Sequence, residues 1–115
     1  MAQKIIDLKD MKIGNELPLT LIAGPCQLET EEHAAMIAST LKKICVEEKI
    51  NFVFKASFDK ANRTSVNGTR GVGLSKGLQI LSAVKEKIGC TILTDIHSAD
   101  QCRQVSDIVD ILQIP

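Results

Sequence analysis

Three cations and four small hydrogen-bonding side chains crowd one short stretch of this sequence. Residues 54–65 read FKASFDKANRTS, with Lys55, Lys60 and Arg63 set among Ser57, Asn62, Thr64 and Ser65, and Asp59 as the one acid. Arg63 presents a planar fork that matches phosphate oxygens, and Lys55 and Lys60 present point charges. Asn62, Thr64 and Ser65 add donors. The content favours binding of an anion. A solvated basic loop is the plain alternative, but Lys55 lies inside an apolar run, where solvation is a poor reason for a charge. No Walker A motif and no G-x-G-x-x-G fingerprint is present; Gly68, Gly71 and Gly73 have a different spacing.

Other apolar runs end in the same way. PLTLIA (18–23) runs into Gly24-Pro25-Cys26, CTILTDI (90–96) carries Asp95 and meets His97, and VDILQI (109–114) carries Gln113. Ligands in α/β sheets and barrels bind at the carboxyl ends of strands, so these four ends read as one site. Cys26, at a strand tip, could give a thiolate to a soft or borderline divalent ion. His97 suits catalysis or substrate contact. His33, among acids at a helix start, reads as a surface residue.

The elements that must hold these groups follow from periodicity. Lys4 to Leu8 and Met11 to Ile13 suggest a short hairpin. Pro18 to Ala23, Asn51 to Ala56, Cys90 to Ile96 and Val109 to Ile114 read as strands, each a near-continuous apolar run of the parallel-sheet kind. Between them, Thr30 is a helix N-cap, followed by Glu31 and Glu32. Lys42 and Lys43 stand near the expected end, and Ala34, Ile37, Leu41 and Ile44 form the expected apolar face. A second helix carries Leu74, Leu78, Leu81, Val84 and Ile88 and stops at Gly89. Ser98 and Gln101 have capping-box spacing for a third, short helix. The order β-α-β-α-β-α-β allows an open doubly wound sheet or a barrel. The segment from Phe58 to Gly73 is longer than the usual ~2–6 residues of a βα loop, and loops of such length are functional or disordered.

Composition narrows the class. The chain has 115 residues, so it holds one domain at most. Fourteen basic residues balance fourteen acidic ones, and Trp and Tyr are absent. That speaks against a nucleic-acid or membrane-surface partner. With no apolar leader and no C-x-x-C pair, Cys26, Cys45, Cys90 and Cys102 suit a reduced cytoplasmic setting. The run that stops at Pro115 lacks a covering helix, and three helices are few for four strands. The chain therefore reads as the front part of a larger α/β protein, with apolar surface and strand edges left open.

AGPCQLE (23–29), FKASFDKANRTS (54–65), RGVGL (70–74), TDIH (94–97) and DILQIP (110–115) together resemble the 3-deoxy-D-manno-octulosonate 8-phosphate synthase family. The resemblance spans essentially the whole chain. FKASFDKANR is its specific part; GPC is shared with the wider group that includes heptulosonate 7-phosphate synthases. The resemblance implies an α/β fold, the N-terminal part of a (β/α)8 TIM barrel: a hairpin, the first three βα units and strand four. Residues 1–115 would be a single partial domain, somewhat under half the family's usual length.

The implied reaction condenses phosphoenolpyruvate with D-arabinose 5-phosphate, a transferase step toward lipopolysaccharide. By the same resemblance, Lys55 and Lys60 hold phosphoenolpyruvate, with Ser57 and Gln113 lining the site. Asn62, Arg63 and Thr64 receive the pentose phosphate; the family often has Ser where Thr64 stands, and the hydroxyl is kept. Lys60, Asp95 and His97 are the implied catalytic residues. Cys26 implies the metal-dependent branch, with a divalent ion as cofactor and its other ligands in later strands. A homo-oligomer, a tetramer in the family, is also implied, with no nucleic-acid or membrane partner.

Overall fold

In the computed structural model, residues 4–59 and 72–115 are described. Ile6–Asp7 (β1) and Lys12–Ile13 (β2) pair antiparallel as the expected hairpin. Thr20–Ala23 (β3), Asn51–Lys55 (β4), Thr91–Asp95 (β5) and Ile111–Gln113 (β6) form one parallel sheet in the order β3-β4-β5-β6. The helices Glu31–Glu48 (α1), Leu74–Ile88 (α2) and Gln101–Ser106 (α3) are the crossovers. Neighbours in sequence are thus neighbours in the sheet. With right-handed crossovers, that order sends every helix to the same face. The core agrees: Ala34, Ala38 and Cys45 of α1, Ile80, Leu81 and Val84 of α2 and Val105 of α3 share one apolar cluster with Phe52, Phe54 and Ile92. A doubly wound sheet would divide its helices between two faces. Consecutive order with helices on one side is the pattern of a barrel segment.

Local signals explain most boundaries. The Thr30 hydroxyl accepts the His33 N–H at 3.0 Å, so the expected N-cap starts α1. Gly89 takes the left-handed conformation (φ 72°) that ends α2. Three expectations need correction. First, α1 runs on to Glu48 and has no basic residue in its last turn. Lys42 serves α2 instead, its Nζ donating to the Ile88 and Gly89 carbonyls at 2.6 and 3.3 Å. Second, Ile44 is exposed, and the buried line of α1 is Ala34, Ala38 and Cys45. Small side chains let α1 approach its neighbours closely, so size mattered more than hydropathy. Third, Ser98 is not the cap of α3; Asp100 precedes it, without a side-chain cap bond. Gln101 Oε1 accepts instead from the His97 N–H at 2.8 Å.

The sheet is tied to the helix layer at its base. Asp110 accepts from Lys85 Nζ and from the Ile92 N–H, both at 2.9 Å, joining α2, β5 and the entry to β6. Among the described residues, β3 and β6 each have one strand neighbour. Leu19, Ile22 and Ile114 are exposed at these two edges, as the shortage of covering helices leads one to expect.

Candidate functional site

Alternation along each strand decides which side chains meet. Phe52, Phe54, Ile92 and Leu112 point to the helices. Residues one step away must point to the other face. Parallel register sets them in rows: Ile22, Val53 and Thr91 first, then Lys55, Leu93 and Ile111, then Asp95 and Gln113. The rows become more polar toward the carboxyl ends. Three strands thus deliver Lys55, Asp95 and Gln113 to one end of one face. Gly24 completes this end on β3, since a Cβ there would collide with the Lys55 carbonyl oxygen. Its lack of a side chain lets the exit of β3 close on β4.

Backbone bonds carry the order past the strand ends. The Ser57 N–H donates to the Cys26 carbonyl (3.3 Å), and the Leu28 N–H donates to the Ser57 carbonyl (2.8 Å). The Ile96 N–H donates to the Gln113 carbonyl at 3.1 Å. The Thr94 hydroxyl, on the helix side, donates to the Ala56 carbonyl at 2.7 Å. Each tip is therefore tied to its neighbour. Ser57 is itself buried, with both backbone groups engaged.

Asp95 and His97 form the charged corner of this end. Their side chains are 10% and 17% exposed, and Asp95 Oδ2 lies 3.3 Å from His97 Nε2. That distance makes an ion pair when His97 is protonated. The alignment is poor, however: Nε2 makes no hydrogen bond, and neither does Asp95 Oδ1. Such orphaned atoms are costly when buried, and Gln27 Oε1 and His33 Nδ1 share that state. Lys55 is half-buried, and the described residues offer it no ion-pair partner. A cation, an acid, an imidazole and an amide with unused bonding capacity can bind and orient a polar, anionic ligand.

The sequence expectations fall into place unequally. Lys55, Asp95 and Gln113 share one face at the strand ends, with His97 beside Asp95 and Ser57 buried just past the end of β4. Lys60, Asn62, Arg63 and Thr64 lie outside the described residues. Cys26 is a free, exposed thiol at the exit of β3. The described residues contain no group of three His, Cys, Asp or Glu side chains able to hold a metal ion. They fit a metal only as one soft ligand of an incomplete set. Cys45 and Cys90 are buried, and burial pushes both thiols up, away from reactivity. His33 sits at the start of α1, with Nδ1 3.9 Å from Glu29. A groove of about 690 Å³ between α2 and α3 is bordered by Glu86 and Asp107. It lies away from the strand ends, and its acids would repel a phosphate.

Sequence reasoning missed Phe58 and Gly77 here and gave Gln101 a different role. Phe58 meets the His97 ring edge-on, with centroids 5.7 Å apart. Gly77 of α2 packs directly on Phe58, and Gln101 holds the His97 backbone. A glycine inside a strongly periodic helix was the available signal.

Among known proteins, the chain matches the DAHP synthetase I family over residues 3–115. It is 59% identical over 113 residues to 2-dehydro-3-deoxyphosphooctonate aldolase of Rickettsia bellii strain OSU 85-389, covering 98% of this chain and 41% of the relative. The proteins of the same name from Rickettsia felis and Rickettsia canadensis are 56% and 54% identical, with the same coverage. The chain thus spans about two-fifths of the length of the curated relatives it matches. No helix among the described residues is long and apolar enough to cross a membrane.

Proposed function

Because the chain belongs to the DAHP synthetase I family, we propose that its strand ends are part of a site that condenses phosphoenolpyruvate with D-arabinose 5-phosphate. The products are 3-deoxy-D-manno-octulosonate 8-phosphate and inorganic phosphate, on the route to lipopolysaccharide. The relatives' name supports this product over the seven-carbon one in the family's description. The proposed frame is the N-terminal part of a (β/α)8 barrel, the hairpin, three βα units and strand four. The observation that carries the reading is the shared face of Lys55, Asp95 and Gln113, with His97 at its rim.

The roles are those that the family resemblance implies, and the charges of the side chains suit them. Two anions must be brought together against their repulsion, so cations fixed in advance lower the barrier. Lys55 and Lys60 take phosphoenolpyruvate, with Gln113 and Ser57 beside it. Asn62, Arg63 and Thr64 take the pentose phosphate. C3 of phosphoenolpyruvate bonds to the aldehyde carbon, water adds at C2, and phosphate leaves. Asp95 and His97 orient the reacting groups, and their orphaned atoms are free to bond to them. Lys60 steadies the charge that develops. Cys26 is assigned as one ligand of a divalent cation, whose chemistry would be to position water or polarise the aldehyde.

The test is phosphate release from both substrates with a divalent cation, by this chain and by a version extended to the relatives' length. The extended protein should release phosphate with D-arabinose 5-phosphate and not with erythrose 4-phosphate. The opposite preference would overturn the substrate assignment. A folded 115-residue chain that releases none would support a second reading, a non-catalytic piece, which its two-fifths coverage favours.

A further inference from the structure

We infer that Phe58, seated against Gly77, is a positioning residue for His97. The imidazole stands at the rim of the strand ends and needs a fixed orientation to be useful there. Its backbone is fixed, since the His97 N–H donates to Gln101 Oε1 at 2.8 Å. Its ring is not fixed by Asp95, because the 3.3 Å approach leaves Nε2 without an aligned hydrogen bond. The described ring contact that remains is Phe58, at 5.7 Å between centroids and 87° between planes. That is the edge-to-face arrangement aromatic rings prefer, and it restricts rotation of the smaller ring.

Phe58 can act this way because it is itself immobilised. It is 1% exposed. Its carbonyl accepts the Gly73 N–H at 3.0 Å, which ties it to the start of α2. Its Cβ occupies the space that a Cβ on residue 77 would need. Glycine inside a helix is unfavourable relative to alanine, and this contact is the physical reason for one at position 77. The first turn of α2 thereby sets Phe58, and Phe58 sets His97. One element thus positions both the exit of β4, where Lys55 stands, and the imidazole beyond β5.

The inference rests on His97 serving the proposed site, but its test reads the imidazole directly. Three-bond couplings at the His97 Cβ should report one χ1 rotamer in the wild-type chain. NOEs should connect the Phe58 and His97 rings. Phe58→Leu keeps an apolar side chain of similar reach, and Gly77→Ala keeps the ring but displaces it. Each variant should convert the His97 couplings to rotamer-averaged values and leave those of His33, the other histidine, unchanged. A variant that loses thermal stability yet keeps the single His97 rotamer would overturn the inference, as would missing ring–ring NOEs in the wild type. Equal changes at both histidines would also overturn it, since they report general loosening. Titration of the wild type with phosphoenolpyruvate separates the two readings. An unresponsive His97 counts against the proposed function, while the couplings judge the positioning role.

Discussion

On the helix side of the sheet, Phe52, Phe54, Ile92 and Ile96 meet Ala34, Ile80, Leu81 and Val84, and the Thr94 hydroxyl there is bonded to the Ala56 carbonyl. On the other side, Lys55, Asp95 and Gln113 stand in adjacent rows, and Asp95 and His97 each leave a polar atom unbonded. The same strands build both faces, one residue out of phase. The helix side is largely apolar and stabilises the fold. The other side leaves polar groups at its carboxyl end incompletely bonded, at a cost in stability. The difference separates residues that hold the chain together from residues that the proposed function assigns to chemistry.

The largest effect should come from the helix side. Phe54→Ala removes a fully buried ring and should cost ~3–5 kcal/mol in denaturant unfolding, a large part of the ~5–15 kcal/mol of a typical domain. A cost near that of a surface substitution would break the comparison. Next is the base of the sheet. Asp110→Ala strands the Ile92 N–H and releases Lys85, and should cost about 2 kcal/mol. Asp95→Asn should behave in the opposite way. It removes a poorly satisfied buried charge, so stability should hold or rise by up to about 1 kcal/mol while ligand binding falls. A loss as large as that of Asp110→Ala would show that Asp95 belongs with the structural set.

The smallest effect lies on the surface. Lys87 bonds Glu31 at 2.8 Å, holding the Glu31 carboxyl below its ordinary value and Lys87 above its own. A depressed folded-state acid stabilises above its unfolded value, ~4.3, and loses that contribution as pH falls through the lower folded value. The raised Lys87 contributes below its unfolded value, ~10.4, and loses its share as pH rises through the higher folded one. The melting difference between wild type and Lys87→Met should therefore be flat around neutrality and shrink at both extremes. Both groups are exposed, so added salt should reduce it throughout.

The parts of this division written in local pattern were readable from sequence. Apolar runs located all four parallel strands, and polar residues at their ends located Lys55, Asp95, His97 and Gln113. Thr30 and Gly89 marked helix ends because caps are local chemistry. What escaped was tertiary. The sequence favoured the large Ile44 for the α1 interface, whereas close approach selected Ala38 and Cys45. Lys42 suited the end of its own helix but bonds the end of another. The Phe58–Gly77 contact joins residues on either side of a long connection, and no periodicity within either segment encodes it.

The most direct measurement is calorimetric titration of phosphoenolpyruvate into the wild-type chain and into Lys55→Ala, at equal fold stability. Lys55 is the cation that the sheet itself places on the open face. The account predicts saturable binding by the wild type, weakened by added salt and lost in the variant. Equal affinity in both proteins would contradict it.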